Sequence, residues 1–402
     1  MKILVLNAGS SSQKSCFYDV PDDRLPDQPP EPIWEAQIDW SRDKAELKVK
    51  AKGQELKEST AFESRLPVME HMLSTLWSGA TQVIADPSEI QGVGHRVVHG
   101  GQDYKDSVRI TAEVKAAIDH LSDLAPAHNP VNLEGINAIE EILGDVPQVA
   151  VFDTAFHARI PDFAAVYPVP YEWSEKGMRR YGFHGTNHRY CAQKTAQILG
   201  KSLEDLKIIT CHLGNGCSLA AIQDGRSVDT TMGFTPLDGL MMGNRSGSVD
   251  PSILLYMLRE EGYTIDRLDH ALNQDSGLMG VSGISNDMRL VTQAAQDNPR
   301  AKLALDIYIH RLRALIGSMV ATLNGIDALV FTAGVGENAA DIRSRACENF
   351  SYMGIKLDAE KNNSRPQDQL ISAADSTVKV LVIHAQENWA IAQECWTTLK
   401  ES

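Results

Sequence analysis

Lys2-Ile-Leu-Val-Leu-Asn-Ala-Gly-Ser-Ser-Ser12 lies at the start of the chain, and Lys207-Ile-Ile-Thr-Cys-His-Leu-Gly-Asn-Gly-Cys-Ser218 repeats its theme midway. In each, an apolar run of strand length ends in glycine and small polar residues, the mark of a buried strand entering a tight turn. A returning strand follows each turn, Ser15–Val20 in the first and Leu219–Gln223 in the second. Both segments therefore read strand, small polar turn, strand. One further turn of this type follows at Gly334–Asn338; a single small-residue turn is more often a plain turn than a site, but three after strands in one chain reverse those odds.

Outward from these two segments the chain alternates strands with helices. Residues 21–32 hold five of the seventeen prolines and read as a solvated loop. Trp34–Trp40 and Ala45–Lys52 have strand-like alternation, and Phe62–Trp77 has helical periodicity with Pro67 near its first turn. Gly92–His99 is strand-like. Asn129 caps a helix that has Pro130 at its first position and runs to Leu143, and Val149–Asp153 is a buried strand. In the second half, Lys207–Cys211 is a strand and Ala301–Leu323 a long helix. Ala328–Thr332 is a strand whose glycine turn leads into a helix from Asn338. A strand at Val378–Ile383 precedes the last helix, Glu387–Leu399. Such alternation predicts an α/β fold, and 402 residues suggest two domains.

Composition excludes several functions. Apolar residues make up 43% and charged residues 23%, as in a globular chain. The net charge of −15 would repel phosphate backbones and anionic membranes, so neither nucleic acid nor a membrane is expected as a partner. Stretches without charge reach about sixteen residues and contain His, Asn and Gly, short of the ~20 apolar residues of a membrane span. Met1-Lys2 and the four apolar residues after them are too little for a signal-peptide core. The six cysteines show neither CxxC nor zinc spacing, which suits reduced thiols in the cytosol.

Three small-residue turns follow apolar strands: Asn7–Ser12, His212-Leu213-Gly214-Asn215-Gly216 and Gly334-Val335-Gly336-Glu337-Asn338. Turns without side-chain bulk let backbone N–H groups approach phosphate oxygens, and a helix N-terminus adds a favourable dipole. None is a Walker loop or a GxGxxG fingerprint. Cations stand beside glycines in Gly94-His95-Arg96-Val97-Val98-His99-Gly100, Arg179-Arg180-Tyr181-Gly182-Phe183-His184-Gly185 and Gly243-Asn244-Arg245-Ser246-Gly247. Guanidinium groups grip carboxylates and phosphates through two N–H bonds, which suits phosphoryl transfer to an anion. The plainer alternative is surface arginine and satisfied core histidine. Asp153 ends a strand, where an α/β sheet places its site, and Glu387 opens the last helix. His184 and His188 are spaced i, i+4 but lack the glutamate of HExxH, which argues against zinc.

At these residues the chain resembles the acetate kinases of the acetate and sugar kinase, heat-shock-protein and actin superfamily. Ile3–Lys14, Met178–Thr186, His212–Gly216, Gly243–Pro251 and Phe331–Asn338 carry the likeness in order. The resemblance implies a duplicated actin-like (ribonuclease-H-like) fold with an interdomain nucleotide cleft. Its domains would be 1–153 plus 388–402, and 154–387 with most of the ATP site. It further implies a cytoplasmic homodimer, Mg²⁺ or alternatively Mn²⁺, and reversible phosphoryl transfer between ATP and acetate giving acetyl phosphate and ADP. Asn7 and Glu387 would hold the metal. Ser10, Ser12, Lys14, His212, Leu213, Gly214, Asn215, Gly216, Asp287, Met288, Arg289 and Gly334 to Asn338 would line the ATP site. Arg96 would take the carboxylate, with Val98, Ala127, His128, Phe183 and Pro236 around the acetate. His184 and Arg245 would stabilise the transferring phosphoryl group. Asp153 would orient Arg96 or a metal-bound water, because an ionised carboxylate nucleophile has no proton to lose to a base.

Some positions depart from the family pattern. Ser15-Cys16 replaces the usual apolar continuation, and Met-Met-Gly-Asn precedes Arg245 where a threonine is usual. Ala127 stands where leucine is common, which would widen the acyl pocket and admit propionate. A methylene is worth only ~1–3 kcal/mol in such discrimination. A propionate or butyrate kinase of the same fold is thus the nearest alternative. An actin-like or chaperone-type ATPase and a non-catalytic nucleotide-binding regulator are the alternatives from other classes.

Overall fold

The computed structural model describes residues 1–9, 12–41, 44–126 and 128–401. It divides into two compact units, one of Met1–Ala155 with Gln386–Ser402 and one of Phe156–Ala385.

In the first unit, β1 (Lys2–Ala8), β2 (Ser12–Asp19), β3 (Trp34–Trp40), β4 (Lys44–Ala51), β5 (Gln54–Ala61), β6 (Gly92–Val97), β7 (Val108–Arg109) and β8 (Gln148–Phe152) form one sheet. Its order is β5-β4-β3-β2-β1-β6-β8-β7. β1 to β3 pair antiparallel, whereas β1, β6 and β8 are parallel neighbours. Covered on both faces, β1 and β8 carry nearly continuous apolar runs. The helix Glu387–Glu401 lies against β6, β1 and β8. Two glycines allow that approach: a Cβ on Gly92 would meet Leu399, and one on Gly94 would meet Ile391 and Cys395. Trp34, Met69, Met72 and Leu73 join the core beneath β3 and β4.

The second unit repeats the arrangement. β9 (Ile208–Leu213), β10 (Cys217–Gln223), β11 (Arg226–Thr230), β12 (Ala328–Thr332), β13 (Gln369–Leu370) and β14 (Lys379–Val382) run in the order β11-β10-β9-β12-β14-β13. β9 to β11 pair antiparallel and β9, β12 and β14 pair parallel. The five-strand cores β3-β2-β1-β6-β8 and β11-β10-β9-β12-β14 thus share order and direction. The helix Gly185–Leu199 packs on β9 and β12, as the C-terminal helix packs on β1 and β6.

Several expected boundaries shift. Asn7-Ala8 and Ser12 belong to β1 and β2, and His212-Leu213 to β9, so the first two turns are hairpin tips with no helix behind them. The third is not a turn: Ala333–Asn338 is helical, so the helix begins well before Asn338. Asn129 is not a cap. His128 takes that position, while Asn129 is buried in the first turn of Asn129–Leu143. β6 ends at Val97, which takes His99 out of the strand, and the helix expected at Phe62–Trp77 spans Arg65–Ser74. No helix among the described residues is long and apolar enough to cross a membrane. All six cysteines are buried and none is in a disulfide.

Candidate active site

Several expected site residues lie at or just past the carboxyl ends of parallel strands, Asn7, Arg96 and Asp153 in one unit and His212, Leu213 and Gly334 to Asn338 in the other. In the first, Asn7 lies near the end of β1 and pairs across the hairpin with Lys14, which places both side chains on one face. Asn7 Nδ2 donates to Glu387 Oε2 at 3.3 Å and to Asn388 Oδ1 at 3.0 Å. Asn388 in turn donates to Cys16 Sγ at 3.1 Å. Burial pushes the Cys16 thiol up to about 12, so it serves here as a packing and acceptor group.

Beside them, Arg96 donates through Nε to Asp153 Oδ2 at 3.0 Å and through Nη2 to the same oxygen. Asp153 is almost fully buried and follows directly on β8, its backbone N–H donating to Val97 O at 2.9 Å. Burial opposes the Arg96 charge, but the charge and hydrogen bonds of Asp153, with the Glu387 charge, hold its pKa above the ordinary value.

The loop after β6 is fastened by two asparagines one helical turn apart. Asn132 Oδ1 accepts the Val98 N–H at 3.1 Å, and Asn129 Oδ1 accepts the His99 N–H at 3.1 Å. Asn129 Nδ2 also donates to His99 O, and Asn132 Nδ2 to Ala8 O. The helix start thereby fixes Val98 and the end of β1 together. Asn129-Pro-Val-Asn132 was legible as a helix start; what it clamps was not. Ser10 and Ala127 lie outside the described residues.

In the second unit His184 caps the helix Gly185–Leu199 in a left-handed conformation, φ 57°, which a non-glycine residue adopts at some cost. Its ring stacks on His212 with centroids 4.0 Å apart, and Nδ1 lies 2.8 Å from Ser218 Oγ. Asn187 Nδ2 lies 2.9 Å from His212 Nδ1. A Cβ placed on Gly216 would stand 3.5 Å from both His184 Nε2 and Arg245 Nη2. Glycine there keeps open the spot that both groups face. Arg245 donates to Pro236 O at 2.8 Å, and burial lowers its pKa although the nearby Cys217 thiol works the other way. Phe183 is buried, and its carbonyl lies 3.1 Å from His157 Nε2.

The segment Gly334–Asn338 follows β12 through Ala333, another non-glycine residue at positive φ, 65°. Arg343, 1% exposed, donates to the carbonyls of Gly336 (2.9 Å) and Glu337 (2.7 Å) and to Asn362. Burial pushes its pKa down to about 10. Glu337 Oε2 meets His384 Nδ1 at 2.5 Å and Oε1 accepts the Ala385 N–H at 2.9 Å. Burial works to raise the Glu337 pKa, but the His384 and Ala385 bonds overcome it and leave it below the usual range. Asp287 caps the helix Met288–Ala294 through the Arg289 N–H and pairs with the exposed Arg289 guanidinium, while Met288 is buried. Neither Arg343 nor Ser218, Asn187 and His384 stood out in the sequence, because each acts through a partner brought near only by the fold.

A sequence profile described as the acetokinase family matches residues 2–393. The chain belongs to the acetokinase family. It is 64% identical to the acetate kinase of Gloeobacter violaceus and 62% identical to that of a Nostoc species, each alignment covering 100% of both chains. Among solved structures, Porphyromonas gingivalis acetate kinase superposes with a TM-score of 0.91 at 38% identity, covering 99% of each chain. A Francisella tularensis propionate kinase gives 0.89 at 38% identity, covering 98% of this chain and 99% of its own.

The acetokinase resemblance brings a divalent cation with it, and the donor set fits one. Among the described residues no three His, Cys, Asp or Glu side chains gather into a metal cage. Asn7 spends its amide nitrogen on Glu387 and Asn388, so its amide oxygen and the Glu387 carboxylate are the donors this corner could offer a cation. Two hard oxygen donors suit Mg²⁺, which keeps waters and takes the rest of its ligands from phosphates.

Proposed function

We propose that this chain is an acetate kinase, transferring the γ-phosphoryl group of ATP to acetate by direct in-line attack of the carboxylate, and the reverse. The observation that carries the reading is the facing of His184 and Arg245 onto the open spot at Gly216. Phosphoryl transfer needs little covalent help from a protein, but it needs charge stabilised on the equatorial oxygens and the two reactants held in line. A guanidinium and an imidazole about one bare glycine meet the first need. Arg96 meets the second by gripping the acetate carboxylate, with Asp153 fixing the guanidinium. By the resemblance, Val98, Ala127, His128, Phe183 and Pro236 would contact the acyl group, and Ser10, Ser12, Lys14, His212 to Gly216, Asp287 to Arg289 and Gly334 to Asn338 the nucleotide.

Asn7 and Glu387 would hold Mg²⁺, which when bound offsets the phosphate charge. We take the domains as residues 1–153 with 388–402, and 154–387, each boundary within two residues of the compact units Met1–Ala155 with Gln386–Ser402 and Phe156–Ala385. Six buried, unbridged cysteines favour the cytoplasm. A homodimer is supported by the helices Pro251–Arg259 and Ile265–Asn273, which bury no side chain and expose Ile253, Leu255, Tyr256 and Ile265. Light scattering that returned the mass of one chain would remove it.

Trapping the acyl phosphate with hydroxylamine, using Mg-ATP and acetate, propionate or butyrate in parallel, tests the reaction. Rapid hydroxamate formation with acetate is expected, falling at least about a hundredfold in Arg245→Ala. With alanine at position 127, kcat/KM for propionate is expected within about a hundredfold of that for acetate. ATP hydrolysis without hydroxamate from any acid would overturn the kinase reading in favour of an ATPase.

A further inference from the structure

Behind His184 lies a chain of buried polar groups that the transfer chemistry does not itself use. Ser218 Oγ is 2.8 Å from His184 Nδ1 and 2.7 Å from His188 Nε2, and His188 Nδ1 is 2.6 Å from Thr210 Oγ1. Ser218, His188 and Thr210 are each fully buried. Every link joins a hydroxyl to a ring nitrogen, and a hydroxyl has a single proton to give. Burial, reinforced by His157 and His212, drives the His188 pKa well down, so its ring carries one proton. A neutral imidazole with both nitrogens bonded must donate at one and accept at the other. The neutral His188 ring is therefore directional, and the Ser218 hydroxyl, once it accepts from His188, has its own proton to give to His184.

We propose that Thr210, His188 and Ser218 are positioning residues that lock His184 as the neutral tautomer with its proton on Nε2. In this direction Thr210 donates to His188 Nδ1, His188 donates from Nε2 to Ser218, and Ser218 donates to His184 Nδ1. The remaining His184 proton lies on Nε2, on the ring edge that faces Gly216 and Arg245. His184 then offers a hydrogen bond to the transferring group without needing to be charged. In the opposite direction an uncharged His184 would donate from Nδ1 and present a bare lone pair to an anion. The left-handed backbone at His184 and its stack on His212 fix where the ring lies, and the hydroxyl chain fixes which nitrogen is protonated.

The proposal rests on the phosphoryl-stabilising reading of His184, and the experiment separates the two. The full-length enzyme, labelled with ¹⁵N-histidine, is examined by magic-angle-spinning NMR at pH 8, with the His184 resonances assigned by their loss in His184→Ala. The expected wild-type signature is a protonated Nε2 and an unprotonated Nδ1. Thr210→Val keeps side-chain size and touches His188 but not His184. It frees the chain to reverse, so a protonated Nδ1 population at His184 is expected, with kcat lowered about tenfold and KM for ATP and acetate within about twofold. Ser218→Ala should give the same kinetic split, and Ser218→Thr, which restores the hydroxyl, should recover most of kcat.

A wild-type Nδ1–H signature, or a His184 tautomer unmoved in both Thr210→Val and Ser218→Ala, would overturn the relay. A His184→Ala enzyme with undiminished kcat would instead overturn the role of His184 itself.

Discussion

Asp153 and Arg96 form a pair in which, on the proposed reading, the buried carboxylate would serve the reaction without exchanging a proton. Asp153 is 3% exposed at its side chain and binds both Nε and Nη2 of Arg96, which leaves the guanidinium a fixed direction rather than a rotating charge. Replacing the carboxylate by an amide of the same size in Asp153→Asn removes the charge and leaves the volume. Charge-assisted hydrogen bonds to a buried partner are worth about 1.5–3 kcal/mol, so kcat is expected to fall about 10- to 100-fold, with a rise in KM for acetate. Steady-state kinetics with acetate as the varied substrate measure both. Near-wild-type values would sink the orienting role and any acid–base role together. Arg96→Lys is no conservative rescue, because an ammonium cannot reproduce the two-pronged contact with Asp153.

At the scale of elements, the packing of the C-terminal helix on β6 turns on glycines in strand alternation. A Cβ on Gly94 would lie 2.9 Å from Ile391 Cγ2, 3.2 Å from Cys395 Cβ and 3.3 Å from Ile391 O, so backbone as well as side chain must yield. Gly94→Ala is expected to destabilise the first unit by about 1–3 kcal/mol. Gly135, in the middle of Asn129–Leu143, has nothing within 4 Å of a built Cβ. There alanine should stabilise, by about 0.5–1 kcal/mol. Urea unfolding of the two variants checks the opposite signs; a shift of both in one direction would contradict the packing argument.

These elements also show what could be read in advance. β1 and β12 were legible because apolar runs end sharply in small or polar residues, and β3 because apolar and polar residues alternate along it. β5 was not: Gln54–Ala61 is almost wholly exposed and has no apolar pattern, although Lys52-Gly53, both at positive φ, is a tight hairpin signal. The helix Gly185–Leu199 was missed for the converse reason. Its buried face includes Asn187, His188 and Lys194, whose partners His212, Thr210 and Asp368 lie outside the helix, so polar groups interrupt its apolar stripe. The arginine–glycine clusters singled out Arg96, His184 and Arg245, and the resemblance set Asp153 to orient Arg96, whereas Ser218, which bonds His184, was not associated with it without the fold.

Across the whole molecule, burial of uncharged histidine couples the fold to pH. His95 and His99 in the first unit and His157 in the second are each pushed down to about 4 by burial, and His188 well below its ordinary 6.5. All four are neutral in the folded chain at pH 5 to 6.5, while an unfolded chain protonates them through that window. The unfolded state then binds more protons, so stability rises with pH and levels off above about 6.5. Each such group tilts the unfolding free energy by about 1.4 kcal/mol per pH unit once the pH is well below 6.5. With two in each unit, neither unit escapes the effect. Urea unfolding at intervals from pH 5 to 8 should show a plateau above 6.5 and a fall below it. His95→Gln, which removes a buried ring bonded to Gln148, should reduce the slope near pH 5 by about one proton. A stability that stayed level down to pH 5 would mean that these rings are already charged, or already reached by water, in the folded protein. The neutral state of His188 on which the hydroxyl relay depends would then be lost with it.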